Sequence, residues 1–413
     1  VSERTPIELL ERPGPLNAGY GDAVAVAAVG EQVVALVGGV PLVSRAATFE
    51  LGFDERPGIQ AVNDSLCETA GGRTCFFANA PAGLAKARLG ADEHERCFAL
   101  GLGRDEGATG LLMRCGSLSF VYPVPAPVET ALTNVFGSAR VPPSLHTVSD
   151  RGAEPALLAA SPSVGVAWFY APLTSVPEEF PSPPAPSASY GAALAALRIP
   201  GGFVFAIADP TAGAVWLHRS VGAGVEPIGC LGGSEGFGRS LAAGRVDADD
   251  NDELVVATGA EVHVWSGAAL ADAPVLTDPA SCGSEVLPAE ARLAELRCEE
   301  SSVARGCAEA DFGAALAVAD LDGNGEGEIV VGAPGMTARG KRGSGAVLVY
   351  QVGGGLVDTR VATASDDGGR FGASLAPVPQ RGRDVLLVGL PGAQKAALVY
   401  CSDVYSGDSP RCR

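Results

Sequence analysis

One arrangement recurs along the chain and constrains its fold more than any other feature. An aromatic–glycine pair opens it, a short strand and a loop follow, and two further apolar strands close it. The fullest copy starts at Phe312-Gly313 and runs through Leu316 to Asp320 into an acidic loop. It continues as Ile329-Val330-Val331-Gly332-Ala333-Pro334-Gly335 and ends at Gly345 to Tyr350. Self-similarity of this kind marks a repeat architecture, in which each unit buries its apolar face only against its neighbours.

Six further copies keep the same order. Phe371-Gly372 leads to Val385–Pro391 and Ala397–Tyr400; Phe237-Gly238 to Leu254–Gly259 and Val262–Trp265; Tyr190-Gly191 to Val204–Pro210 and Ala214–His218. Phe136-Gly137 precedes Ala156–Pro162 and Gly165–Tyr170, and Tyr20-Gly21 precedes Val33–Val40. The most degenerate copy has Gly83-Leu84-Ala85, then Cys97–Gly103 and Ser117–Tyr122, with no aromatic–glycine pair. Each copy supplies three strands, and the stretch before the next copy, such as Leu356–Thr363, supplies a fourth. Beside the aromatic, glycine permits a positive φ, so that the ring can wedge between units.

Four-stranded sheets repeated seven times around an axis predict an all-β, seven-bladed β-propeller of antiparallel blades. A β-sandwich would not repeat one pattern seven times. The last copy lacks a fourth strand, whereas Pro6–Leu10 stands spare at the start, so residues 1–15 are predicted to complete the last blade as its outer edge. The blades then fall at 16–78, 79–130, 131–176, 190–233, 234–280, 311–364 and, with the tail, 365–413. Two segments interrupt them. Residues 177–189 read as a Pro/Ser-rich extended surface connector. Residues 281–310 read as an insertion with a short helix over 288–300, where Leu293, Leu296 and Arg297 have helical spacing.

The loop Asp320-Leu321-Asp322-Gly323-Asn324-Gly325-Glu326-Gly327-Glu328 has the chemistry of a calcium site. Asp320, Asp322, Asn324 and Glu328 offer side-chain oxygens, Glu326 its backbone carbonyl, and the glycines let alternate side chains converge. The twelfth position is Val331, which excludes an EF-hand. An acidic hairpin turn solvated by water is the alternative, but close carboxylates without a cation repel one another. In the fifth copy Asp247, Asp249, Asn251 and Glu253 align with these ligands, while Arg245 takes the place of Asp320. Two readings stay open there: Arg245 pairs with Asp247 and Asp249 in place of a metal, or it swings away and the remaining ligands bind. The seventh copy, Gln380-Arg381-Gly382-Arg383-Asp384, has lost the site. Asp92, Glu93, His94 and Glu95 read as a solvated turn.

Phe312-Gly313, Asp320 to Glu328 and Gly332-Ala333-Pro334 resemble the FG-GAP repeats of the integrin α-subunit β-propeller. The copies at Phe237, Phe312 and Phe371 match well, and the first four rest on order and spacing. The resemblance implies an extracellular, non-enzymatic propeller. Its calcium loops would lie between the first and second strands of the later blades, and its ligand-binding loops on the opposite face.

The rest of the sequence narrows the function by exclusion. With a net charge of −19 and pI near 4.6, the chain repels phosphate backbones and anionic lipid, so nucleic acid is excluded as a partner. No apolar run reaches membrane-spanning length. The N-terminal Val1-Ser2-Glu3-Arg4 has no basic-then-apolar signal pattern; if the protein is exported, the mature or a trimmed form is expected. Ten cysteines, an even number, suggest disulfides and an extracellular, cell-surface or periplasmic site. Neighbour pairing gives Cys67-Cys75, Cys97-Cys115, Cys298-Cys307 and Cys401-Cys412, leaving Cys230-Cys282; no C-x-x-C pair supports zinc. Three lysines (Lys86, Lys341, Lys395) against many Arg and Ala hint at a GC-rich bacterial source. His94, His146, His218 and His263 share no local motif, no G-x-S-x-G or H-E-x-x-H occurs, and Gly340 to Gly345 lacks P-loop spacing, so no enzyme is expected.

The expectation is a monomeric protein-recognition or adhesion module with structural Ca2+ and an unknown protein or glycan ligand. Its candidate loops are Gly103–Gly110, Asp209–Gly213 and Gly335–Gly345, the last carrying Arg339, Lys341 and Arg342. A carbohydrate-binding, lectin-like propeller and a structural spacer of a larger surface protein are the alternatives. Trp168, Trp216 and Trp265 fall on third strands and read as core, which disfavours the lectin.

Overall fold

Short apolar segments bounded by Gly, Pro, Asn and Asp become strands, and in the computed structural model they join into four-stranded antiparallel sheets. The structure describes residues 8–11, 21–29, 32–38, 47–51, 60–63, 82–88, 94–102, 110–115, 118–123 and 144–148, then 156–404 apart from 163–164, 171–177, 182, 184, 223, 274–290, 353–355, 362–366 and 381. Among the described residues there are seven such sheets and one two-stranded ribbon, Ala304–Arg305 with Thr337–Ala338. In chain order the sheets begin at Ala23, Ala82, Ser144, Leu194, Leu241, Leu316 and Leu375. The first six are meanders of sequential strands. The seventh joins Leu375–Gln380, Arg383–Leu390 and Lys395–Val399, and Glu8–Glu11 pairs antiparallel along its free edge, Glu8 opposite Leu398.

First strands of successive sheets touch one another. Ala23–Val29 meets Ala82–Arg88, and the series continues through Ser144–Val148, Leu194–Ile199, Leu241–Gly244 and Leu316–Ala319 to Leu375–Gln380, which meets Ala23–Val29 again. The core lies between sheets. Val255, Val262 and Val264 of the fifth pack with Leu316, Val331 and Leu348 of the sixth. Ala317, Val330 and Val349 on the other face of the sixth pack with Leu386, Val388 and Val399 of the seventh. Val385, Leu387 and Leu398 of the seventh pack with Val24, Ala35 and Val37 of the first. Strands Glu328–Ala333 and Ala346–Tyr350 are therefore buried along their whole length. That double-sided burial explains their continuous apolar sequences.

The aromatic–glycine pairs sit at these seams. Tyr190, Phe237, Phe312 and Phe371 are buried, and Gly191, Gly238, Gly313 and Gly372 behind them all have positive φ. At Gly313, with φ at +83°, a Cβ would stand 2.8 Å from the Ala257 Cβ of the preceding sheet. Glycine is needed there twice, for the backbone conformation and for the close approach. Burying each ring contributes roughly 1.5–3 kcal/mol.

Two expectations are corrected. Arg292–Arg297 is not helical but the fourth strand of the fifth sheet, paired with Glu261–Trp265, so that sheet extends beyond residue 280 into the predicted insertion. Leu296 is buried while Leu293 is 38% exposed, the alternation of an edge strand. Arg297 ion-pairs with Glu261 across the strands and with Glu295 beside it. The Pro/Ser-rich connector is also not wholly a surface loop. Glu178–Glu179 pairs with the third sheet, and the Phe180 ring is buried against Phe205 and His218.

Helix among the described residues is confined to short turns such as Gly267–Ala271 and Cys401–Val404, and none is long and apolar enough to cross a membrane. Cys298 and Cys307 form a disulfide, and Cys230 and Cys401 are each disulfide-bonded. Cys97 stands opposite Cys115 in the second sheet. Cys67, Cys75, Cys282 and Cys412 lie outside the described residues.

Candidate metal centre

The sixth sheet's first strand, Leu316–Ala319, runs antiparallel to Glu328–Ala333, with Ala319 opposite Glu328. The loop between them must reverse the chain, and Gly323 and Gly325 do so with φ of +78° and +89°. Asp320 organises the turn: its Oδ1 accepts the Gly323 N–H at 2.8 Å and its Oδ2 the Gly325 N–H at 2.9 Å. Asp322 Oδ1 accepts from Asn324 N, and Asn324 Oδ1 from Glu326 N. Glu328 is buried, and its Oε2 accepts the Leu321 N–H at 2.9 Å. Carboxylate oxygens of Asp320, Asp322 and Glu328 all lie within 4.8 Å of one another. Asn324 and Glu326 are exposed, and Asn324 turns its oxygen back onto the loop.

The fifth sheet repeats this frame with a different first residue. Gly244 stands opposite Glu253, and Glu253 Oε2 accepts the Val246 N–H at 2.9 Å, the counterpart of the Glu328–Leu321 bond. Asp247 Oδ1 accepts from Asp249 N, and Asp249 Oδ1 from Asn251 N. Oxygens of Asp247, Asp249 and Glu253 again fall within 4.8 Å of one another. Of the two readings of Arg245, the structure has it swung away: its Nε and an Nη donate to the Gly325 carbonyl of the sixth-sheet loop. Glu253 is fully buried, and its Oε1 has no hydrogen-bond partner. Burial pushes its carboxyl up to about 7, against the Val246 N–H bond, and the charges of Asp247, Asp249 and Asp252 push the same way.

Successive loops are also latched to one another. Asp252 N donates to Arg198 O at 2.8 Å, Gly327 N to Arg245 O at 2.7 Å and Asp384 N to Asp320 O at 2.6 Å. Two latches are reciprocal, since Asp252 Oδ2 accepts from Arg198 N and Asp384 Oδ2 from Asp320 N. The seventh sheet's loop thus supplies a neighbour to the sixth: burial raises Asp384 to about 6, opposed by the Asp320 N–H and reinforced by the Asp320 charge. At the fifth-to-sixth junction glycine stands where the others have aspartate, and the Arg245 side chain makes the second link instead.

Both loops offer only oxygen donors, which suits hard cations such as Ca2+ or Mg2+ over zinc or copper. An orphaned buried carboxylate oxygen beside two aspartates fits a bound cation. A third group, Glu261, His263 and Glu295, also brings oxygens and a ring nitrogen within 4.8 Å. There Arg297 already ion-pairs with both glutamates. His94 and Glu95 begin a strand of the second sheet, and Asp92 and Glu93 lie outside the described residues.

Residues 312–350, the sixth sheet's first three strands with this loop, match the FG-GAP repeat family, so the chain carries an FG-GAP repeat there. No curated protein sequence matches the chain. Among solved structures, a mutant Aleuria aurantia lectin in complex with Fucα1-6GlcNAc is similar at a TM-score of 0.45 and 12% identity, covering 86% of this chain and 100% of that one. The six-bladed β-propeller fucose lectin of Aleuria aurantia gives 0.43 and 13%, covering 88% and 100%. At these TM-scores the likenesses decide neither ligand nor blade number.

Sequence reasoning missed the partner of Arg245, which lies 80 residues away on the next loop. The signal available was the absence of a side chain at Gly327, where Asp252 and Asp384 make the reciprocal bond.

Proposed function

We propose that the chain is a seven-bladed β-propeller, closed by Glu8–Glu11 on its last sheet, that serves as a non-catalytic, extracellular protein-recognition or adhesion module pinned by structural calcium. The cycle of first-strand contacts and the edge pairing of Glu8–Glu11 support the closed ring. The Cys298–Cys307 disulfide supports an oxidising location. The observation that carries the calcium reading is the convergence of Asp320, Asp322 and Glu328 within 4.8 Å, repeated by Asp247, Asp249 and Glu253 with Arg245 turned away. In the sixth loop those three side chains would hold the ion with Asn324 and the Glu326 carbonyl; in the fifth, Asp247, Asp249, Asn251 and Glu253 would do so.

Bound calcium would supply positive charge to carboxylates that otherwise repel one another. At the affinities of extracellular modules, ~1 mM calcium adds roughly 0.4–1.4 kcal/mol per site. The test is thermal melting with calcium and with chelator, alongside capture of extracellular proteins in both conditions. Melting that ignores chelation removes the calcium; failure to capture any protein in either condition removes the recognition role.

A further inference from the structure

In the sixth sheet the loop at the other end of the strands carries the opposite charge. In the sixth sheet, the turn after Glu328–Ala333 contains Arg339, Lys341 and Arg342, in a chain whose net charge is −19. Its neighbours are fixed by backbone bonds. Arg339 N donates to Val303 O, and Thr337–Ala338 pairs with Ala304–Arg305, the strand that precedes the disulfide-bonded Cys307. On the other side Gly368 N donates to Arg342 O and Arg370 N to Gly343 O, which brings Arg370 to the same place. Ser344 ties the turn internally: it is buried, donates to the carbonyls of Ala338 or Lys341, and accepts the Ala338 N–H at 3.1 Å.

The cations on this frame are unequal. The Glu300 carboxyl, held below its usual range first by the Gly306 and Cys307 N–H groups, also feels Arg305. Arg339, Arg342 and Arg370 are exposed and make no side-chain hydrogen bond or ion pair with the described residues. Arg339 and Arg370 also hold φ of +51° and +57°, a conformation that costs a residue with a Cβ about 1 kcal/mol or more. Their backbones are fixed by the surrounding bonds, while their guanidinium forks are left to solvent.

The geometry points to this surface as a docking site for a short acidic peptide segment of a protein partner, its carboxylates engaged by Arg339, Arg342 and Arg370. This rests on the recognition reading above and names the partner's chemistry. Guanidinium groups match carboxylates in planar, two-pronged pairs, and three on linked loops of fixed backbone suit a compact group of acidic side chains. A long polyanion would have to continue over an otherwise acidic protein, which repels it. That favours a peptide over a sulfated glycan or nucleic acid.

The probe is a labelled short peptide rich in Asp and Glu, with the same peptide in Asn and Gln as control, added to the full chain and followed by fluorescence anisotropy. Binding is expected for the acidic peptide alone, weakening as salt is raised. Arg339→Asn, Arg342→Gln and Arg370→Asn together should weaken it about tenfold or more. Asn tolerates positive φ, so the turn is retained, and an unchanged melting temperature verifies it. Arg292→Gln, on the edge of the fifth sheet, should leave binding unchanged. No binding of the acidic peptide, equal binding by the triple variant, or preference for a sulfated oligosaccharide overturns the proposal. Captured proteins without acidic-peptide binding would leave the recognition role standing and remove only this surface.

Discussion

The fifth- and sixth-sheet loops each bring three carboxylates together, but from different positions: Asp320, Asp322 and Glu328 in the sixth, Asp247, Asp249 and Glu253 in the fifth. In the sixth, Asp320 is a carboxylate of the cluster and caps the turn by accepting two backbone N–H groups. In the fifth, Arg245 does neither and reaches across to Gly325. Yet the carboxylate oxygens of Asp247, Asp249 and Glu253, like those of Asp320, Asp322 and Glu328, all lie within 4.8 Å of one another. What the loops share is the buried glutamate opening the second strand, whose Oε2 takes the N–H of Val246 or Leu321. The strand ends place the shared glutamate, and the first residue decides which side chains complete the cluster and what the loop leans on.

The largest effect should come from cutting the shared anchor. Glu328→Ala takes the carboxylate from the buried Leu321 N–H, leaving it only the Ala319 carbonyl, and opens a void, at a cost of about 2–4 kcal/mol in denaturant unfolding. Glu253→Ala should cost less, because it also removes an orphaned, desolvated oxygen. Equal losses in chelator would break the comparison. Next comes Arg245→Asp, which gives the fifth loop the first ligand it lacks. Calcium affinity there should rise about tenfold by titration calorimetry, since ligand charge tunes affinity. The same substitution removes the guanidinium from Gly325, so the sixth loop should loosen by about 0.5–1.5 kcal/mol. Arg245→Gln isolates that second effect. Stronger calcium binding without any change at the sixth loop would show that the two are independent.

The smallest effect is a slope with pH. In metal-free protein Glu253 is held up at about 7, above its ordinary 4.5. A carboxyl raised on folding binds its proton more readily in the folded state, so its contribution is fully present below about 4.5 and is lost as pH rises to about 7. Asp384, raised to about 6, acts in the same direction, whereas half-buried His146 and buried His218, lowered to about 4 by desolvation, lose stability as pH falls through 6.5. The informative quantity is therefore wild type minus Glu253→Gln between pH 4.5 and 7. A zero difference would place Glu253 in a well-solvated or already compensated setting.

Much of this was legible in the sequence because its causes are local. An aromatic–glycine pair reads as a wedge since glycine alone allows both the φ and the approach found at Gly313. Alternate acidic residues separated by glycines read as converging ligands. What was not legible depended on residues far along the chain. Arg292–Arg297 consists of helix-favouring residues at helical spacing, and only pairing to Glu261–Trp265 makes it a strand. Phe180 lies in a proline-rich stretch whose composition describes a linker, while its ring is buried in a core shared by the third and fourth sheets.

The latches from Arg198 to Asp252, Arg245 to Gly327 and Asp320 to Asp384 bear on how the molecule comes apart. A stack of sheets in contact only through oil-like seams could shed one unit at a time. Here each loop holds a carbonyl of the loop before it, so opening one sheet exposes a polar group on its neighbour and spreads the penalty. Amide exchange should therefore report the fourth to seventh sheets opening as one unit, with the Asp252, Gly327 and Asp384 N–H groups released together.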